Sequence, residues 1–421
     1  MSDSSRQLTV QRTRYPPLVR AISAGLGVLE SLGAPFGRLD ADDILASARR
    51  STGLSDFGGE QFLAPMRQLL QATSAAPLTP LAHVFMRQTF LKALVQRLRL
   101  QDLLKQQPHI LDTPLRRPIF VLGFPRSGTT LVQNLLGCDP RRRGLAFWEL
   151  VTPLPAHADA AEDERRRVRT ADRILAASYY MAPEMGQVHE VRSQSLEECW
   201  YLLANSFTVL NNDFQAGLPS IGEHLFASDL TWAYQEYRVW LKLLLSQRPA
   251  EHLLLKCPEH LWFIEPLLKV FPDACIIWTH RDPVSSIASY SSMMTLPRRM
   301  LYGEVDPAAL GPFIADRFHI GAKRAMAARE RLPPERFFDV DFRALVKDPI
   351  SVIDAIHDHF DLDQAPDSHA RMEEYLSQKR ADERGAHVYS ASRHGVDSAA
   401  VHAQYADYID RFQIPVKTDH G

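Results

Sequence analysis

Ile119-Phe120-Val121-Leu122-Gly123-Phe124-Pro125-Arg126-Ser127-Gly128-Thr129-Thr130 is the stretch that decides the fold. Its four leading apolar residues form a short continuous run, as expected of a strand buried on both faces. A Gly/Pro/Ser turn follows, and Leu131 to Leu136 then carry helical spacing. Strand, tight loop and helix make the first half of a βαβ unit. A loop in that setting points backbone N–H groups inward beside the positive end of a helix, which is a ready anion site.

Gly123 and Gly128 have the separation of a Walker A loop, but Thr129 stands where that motif requires Lys. The Walker Lys reaches β and γ phosphates and the motif hydroxyl holds magnesium. A donor with one 5'-phosphate and a terminal sulfo group needs less cationic reach and no metal. Arg126 offers a fork of donors, and Ser127, Thr129 and Thr130 offer hydroxyls.

Further strand–helix alternation lies downstream. His252 to Leu255 reads as a strand, Leu261 to Val270 as a helix, and Ala274 to Thr279 as a buried strand that turns at His280-Arg281-Asp282-Pro283 into another helix. Phe337 to Phe342 and Val352 to His359 repeat the pattern. The expectation is an α/β fold: a P-loop-type parallel sheet flanked by helices, with ligands at the carboxyl ends of the strands. Residues 1–112 read as an N-terminal helical segment. Asp40, Asp42 and Asp43 make a helix opening there, and a helical apolar face runs between Pro80 and Gln107. Residues 113–421 form the main domain, with 150–245 as a helical insertion at its substrate side.

Composition narrows the function. Of 421 residues, 45% are hydrophobic and 23% charged, enough apolar content for a core and too much for wholesale disorder. With 48 basic against 50 acidic residues, the net charge of -2 argues against nucleic acid as a partner. No apolar run nears the roughly 20 residues of a membrane span, and Met1 to Val10 is too polar for a secretory signal. The four cysteines, Cys138, Cys199, Cys257 and Cys275, have no metal-ligand spacing. Metal is not expected, and a cytoplasmic location is the default.

Arg126-Ser127-Gly128-Thr129-Thr130 resembles the 5'-phosphosulfate loop of sulfotransferases that use 3'-phosphoadenosine-5'-phosphosulfate (PAPS), most closely the branch holding many bacterial sulfotransferases and the protein-tyrosine sulfotransferases. The likeness covers roughly residues 117 to 413. Trp278-Thr-His-Arg281-Asp-Pro-Val-Ser-Ser-Ile-Ala-Ser289 is similar to the family's second signature, which implies Arg281 and Ser289 at the cofactor's 3'-phosphate. Phe342 stands where Tyr is common, and Arg384-Gly385, His387, Tyr389 and Arg393 resemble the loop that closes over the nucleotide.

Sulfo transfer requires that the acceptor lose a proton, that the sulfur be held in line, and that charge on the leaving oxygen be neutralised. Lys256, after a strand in Leu255-Lys-Cys-Pro-Glu-His260, resembles the family's active-site Lys and is assigned with Arg126 to the leaving oxygen. Two residues compete as general base. Glu149, in Phe147-Trp-Glu-Leu150, resembles the catalytic Glu of the protein-tyrosine branch and is favoured; His189, in Val188-His-Glu190 upstream of Glu197-Glu198-Cys199, orients or shares the acceptor hydroxyl. His260 is read as structural. The expected product is PAP. Aromatics at Phe62, Phe85, Tyr180, Trp200, Trp232 and Trp240, most of them core, leave an apolar acceptor such as a lipid, polyketide or phenol, taking the sulfo group on a hydroxyl or amine, as the expectation. A P-loop kinase or NTPase, or a non-catalytic nucleotide-binding protein, is the alternative. The former lacks its Lys and the latter has no need of Lys256.

Overall fold

The apolar run at residue 119 becomes β1 (Ile119–Gly123), with all five residues buried. The computed structural model describes residues 16–188, 190–382 and 390–416. Around β1 it arranges β2 (Arg142–Gly144), β3 (His252–Lys256), β4 (Cys275–His280) and β5 (Phe337–Asp341) in the order β2-β3-β1-β4-β5. Every pairing is parallel, as the strand–helix alternation implies. In the central pairs Val121 lies opposite Lys256 and Gly123 opposite Thr279. The carboxyl ends of β3, β1 and β4 therefore share one edge of the sheet.

The helix expected over Leu261 to Val270 is split. Pro258–Phe263 forms a 3-10 turn and Ile264–Val270 the α-helix. The turn begins at a proline, whose fixed φ suits a first turn.

Residues 17 to 112 contain α1 (Pro17–Ser31), α2 (Ala41–Thr52), α3 (Leu63–Ala75), α4 (Pro80–Gln106) and a short 3-10 turn, Pro108–Asp112. Asp40 caps α2 by accepting from the Asp43 amide at 2.8 Å, and Thr79 caps α4 by accepting from Ala82. No break in packing marks residue 112: side chains of α2, α3 and α4 share one apolar core with β1, β3 and the helix Thr231–Gln247. Arg97 fastens that junction. It is 4% exposed, pairs with Glu236 at 2.5 and 2.7 Å, donates to the carbonyls of Phe57 and Asn205, and lies 4.0 Å above the Phe62 ring. Most aromatics of this half are core; Phe62 and Phe90 both pack on Phe207.

At the opposite edge the C-terminal helix Ala406–Phe412 is clasped to β4 and β5. Buried His280 bridges Tyr408 (3.0 Å from Nδ1) and Asp339 (2.9 Å from Nε2), and Arg329 holds the same carboxylate in a two-bond fork. Burial keeps the His280 pKa below the ordinary histidine value. The ring is therefore neutral at neutral pH: Nε2–H donates to Asp339 and Nδ1 accepts from Tyr408.

Tyr408→Phe should leave Nδ1 buried without its donor and cost about 1–3 kcal/mol of stability, read from urea unfolding; an unchanged midpoint would show that the clasp contributes nothing. Acid should weaken the same clasp. Burial alone would raise the Asp339 pKa, but hydrogen bonds from His280 and Arg329 hold it at about 2 against an ordinary 3.8. Its contribution is thus complete above the ordinary value and lost as pH falls toward about 2.

Candidate active site

Two glycines shape the loop after β1. At Gly123 (φ +142°) a Cβ would stand 2.4 Å from Thr279 Oγ1, so only glycine lets β1 and β4 close at this point. Gly128 (φ +97°) is the N-cap of α5 (Thr129–Leu136), and a Cβ there would meet Leu345 at 2.8 Å and Phe342 at 3.2 Å. Between them Arg126 also takes positive φ, +71°. This left-handed conformation in a residue with a side chain turns the loop back over the helix start. The first amides of α5 have no carbonyl partner inside the helix and point out of its positive end.

The hydroxyls of the loop divide in their roles. Ser127 is fully buried and turned inward, donating to the Phe124 carbonyl at 2.6 Å and meeting Thr279 Oγ1 at 2.5 Å. It builds the loop. Thr129 is buried at the helix start, whereas Thr130 is exposed.

Arg281 and Ser289 lie beside this loop, 155 and 163 residues from Arg126 in sequence. Arg281 Nη1 donates to the Arg126 carbonyl at 2.6 Å, and Arg126 Nε donates to Ser289 Oγ at 3.1 Å. The Arg281 guanidinium also lies 4.2 Å over the Phe342 ring. Phe342, which lacks the hydroxyl common at this place, thus supports both Gly128 and Arg281 through its ring. Asp282 does not pair with its neighbour. It caps the helix Pro283–Tyr302 through Val284 and Ser285 and receives His402 Nε2 at 3.0 Å. The Arg281 fork is thereby directed to the loop.

Lys256 ends β3 next to β1 and is 1% exposed. Its ammonium meets Glu198 Oε1 at 3.0 Å. Burial opposes the Lys256 charge, yet Glu198 and Glu197 outweigh it and raise its pKa, so the amine stays protonated. The partner segment is held by backbone: Glu197 N donates to Leu145, and Cys199 N to the Lys256 carbonyl, each at 3.0 Å. Glu198 keeps 26% of its side chain exposed, so it is the accessible end of a buried cation. Sequence reading assigned it no role. The only signal was a carboxylate pair just before Cys199, with no periodicity to say which way either points.

Glu149 is turned elsewhere. It lies in α6 (Phe147–Val151), after β2 at the edge of the sheet. One carboxylate oxygen accepts from the Ala146 amide at 3.0 Å and the other from Arg143, which also donates to the Leu244 and Arg248 carbonyls. Buried, capped and ion-paired, Glu149 faces the end of the helix Thr231–Gln247 and not Lys256. The structure thus pairs the Glu149 carboxylate with Arg143, six residues before it, and does not bring it to the Lys256–Glu198 pair. His189 and Arg384 lie outside the described residues. His260 is fully buried between Cys199 Sγ (3.3 Å) and Tyr234 Oη (2.9 Å), a structural position under the Lys256 strand end.

The arrangement is an anion cradle flanked by two arginines, with a protonated lysine and a carboxylate at the next strand end. It can hold a doubly anchored anionic nucleotide and neutralise a leaving oxygen.

Known proteins share this fold. A curated relative, the omega-hydroxy-beta-dihydromenaquinone-9 sulfotransferase Stf3 of Mycobacterium bovis, is 24% identical over 305 residues, 70% of this chain and 74% of its own. The crystal structure of sulfotransferase STF1 from Mycobacterium tuberculosis is 30% identical with a TM-score of 0.77, over 87% of this chain and 98% of its own. That of STF9 from Mycobacterium avium is 28% identical with the same TM-score, over 89% and 97%. The family model described as "Sulfotransferase family" matches residues 118–367, which hold all five strands, the anion loop, Lys256, Arg281 and Ser289. On that match and these structural relatives, the chain belongs to the sulfotransferase family and is a sulfotransferase.

Proposed function

We propose that the donor is PAPS and the acceptor the hydroxyl of an apolar, lipid-like molecule, with PAP as the second product. One observation carries the donor reading: Arg126, Arg281 and Ser289, far apart in sequence, form one connected cluster around an anion loop. In this reading the loop and the α5 amides, with Arg126, Thr129 and Thr130, bind the 5'-phosphosulfate. Ser127 and Gly128 hold the loop in shape. Arg281 and Ser289 take the 3'-phosphate, and Arg384 adds a further contact to the nucleotide. The acceptor reading is supported by the omega-hydroxy-beta-dihydromenaquinone-9 in the name of the mycobacterial relative. The helical region 150–245 frames the acceptor side; there the helix Met185–Val188 lies against Pro283–Tyr302, with Glu184 and Arg299 paired at 3.4 Å.

The Lys256–Glu198 pair supplies a mechanism. Lys256 turns toward the bridging oxygen between sulfur and phosphorus as negative charge grows there. Glu198 then loses its cationic partner and accepts the acceptor's hydroxyl proton. A bond forms from the acceptor oxygen to sulfur, the bond from sulfur to the bridging oxygen breaks, and PAP leaves with that electron pair. His189 orients the acceptor hydroxyl.

Arg281→Ala should reduce the preference for PAP over AMP, at a cost of about 1.5–3 kcal/mol in PAP binding. Titration calorimetry of both nucleotides reads this, and an unchanged preference removes Arg281 from the 3'-phosphate.

Lys256→Ala should slow the chemical step while PAP affinity changes little, because its contact strengthens as charge develops. Glu198→Gln should lower the single-turnover rate about 10²–10⁴-fold on an aliphatic alcohol and less on a phenol. If Glu198→Gln keeps its rate while His189→Gln collapses, the histidine is the base.

Activity should also persist in EDTA. A titratable magnesium requirement would point to phosphoryl transfer instead.

A further inference from the structure

α1 is an apolar helix packed on one side only. Val19 is buried, Leu26 and Gly27 face α4, and a Cβ at Gly27 would lie 3.3 Å from Pro80. The opposite face is open: Leu18 is 59% exposed, Ile22 47%, Leu29 43% and Leu32 77%. Phe36 on the following turn and Phe85 on α4 add rings that are 55% and 52% exposed. These side chains make up most of the large exposed hydrophobics among the described residues. A concentration of this kind marks a contact surface.

We infer that this face docks the enzyme on an anionic lipid bilayer, with α1 lying in the interface plane. The proposal rests on the lipid-acceptor reading above. Four features favour a bilayer as the occupant.

The first is charge. The whole chain is slightly acidic, yet residues 1–38 hold five arginines against two acids. Arg6, Arg12 and Arg14 immediately precede α1 and Arg20 lies in its first turn, while Arg38 beyond it pairs with Asp40 at 3.6 Å. Basic residues flanking an apolar helical face suit anionic headgroups.

The second is shape. Leu18, Ile22, Gly25, Leu29 and Leu32 follow four–three spacing, but this covers about two heptads, short of the three or four that signal a coiled coil. Val28, 60% exposed, widens the face beyond a two-helix seam.

The third is area. A helix about 22 Å long offers a second copy roughly a few hundred Å², against ~800 Å² per partner in a stable interface. Residues 1–16, which precede α1, are mostly polar in sequence.

The fourth is position. Thr79, which caps α4, donates its amide to the Leu301 carbonyl near the end of the helix Pro283–Tyr302. Ser289, in the cofactor cluster, lies earlier in the same helix. At 1.5 Å per residue the two levels are about 18 Å apart, a span that a lipid tail can cover from bilayer to sulfo donor.

The test uses the full-length protein with vesicles of phosphatidylcholine alone or with added phosphatidylglycerol, and the double variant Ile22→Glu/Leu29→Glu. Both substituted side chains are exposed, and PAP binding serves as the check of the folded state. Wild type should co-sediment with the anionic vesicles, less so at high salt, and the variant about tenfold less. Arg12→Ser/Arg14→Ser should weaken the preference for anionic lipid while leaving PAP binding intact. The proposal is overturned if wild type ignores both vesicles or if the glutamate variant binds as wild type does. It is also overturned if light scattering shows a wild-type dimer that the variant dissolves and that leaves vesicles unbound. Vesicle binding requires no turnover, so failure of the lipid-acceptor reading would appear separately, as sulfation of polar acceptors alone.

Discussion

The hydrogen bond from Arg281 to the carbonyl of Arg126 is the contact on which the site depends. It joins the loop after β1 to the turn after β4, and it requires that those strand ends lie side by side. They do so because Gly123 leaves room for Thr279, and because Gly128 starts α5 without meeting Phe342 and Leu345. Phe342 then packs the Arg281 guanidinium from beneath. An arginine held by a carbonyl and a ring loses little further freedom on meeting a phosphate.

A second constraint governs Lys256. A fully buried ammonium is costly unless it is paired, and Glu198 supplies the pair with its other face toward solvent. The segment carrying Glu198 is hydrogen-bonded to the backbone of β3 itself. Cation and carboxylate are thus delivered together at the end of β3.

The helices outside the sheet divide along similar lines. Arg97 and its partners weld α4 to the helix Thr231–Gln247, so the N-terminal region shares the core of the main domain. Among the described residues, most of the exposed large hydrophobics lie on or beside α1, which keeps an open apolar face. No helix among the described residues is long and apolar enough to cross a membrane. An interfacial role needs no such length.

The sequence by itself determined whatever is local. A run of apolar residues, a glycine-bounded turn and a helix start lie within twelve residues, so β1, its loop and α5 were legible, and with them the fold class. The later strands and the cap at Asp40 were legible for the same reason. Only the tertiary structure decided which carboxylate meets the lysine. Glu149 follows the loop helix closely in sequence, but Arg143 lies six residues before it and captures it. Glu198 is separated from Lys256 by 58 residues, and no pattern in either segment encodes their approach. Their meeting is set by the parallel register of β3 beside β1 and by the backbone bonds that hold residue 199 to residue 256. Ion-pair partners depend on how strands and loops are placed across the sheet, and side-chain identity along the chain does not specify that placement.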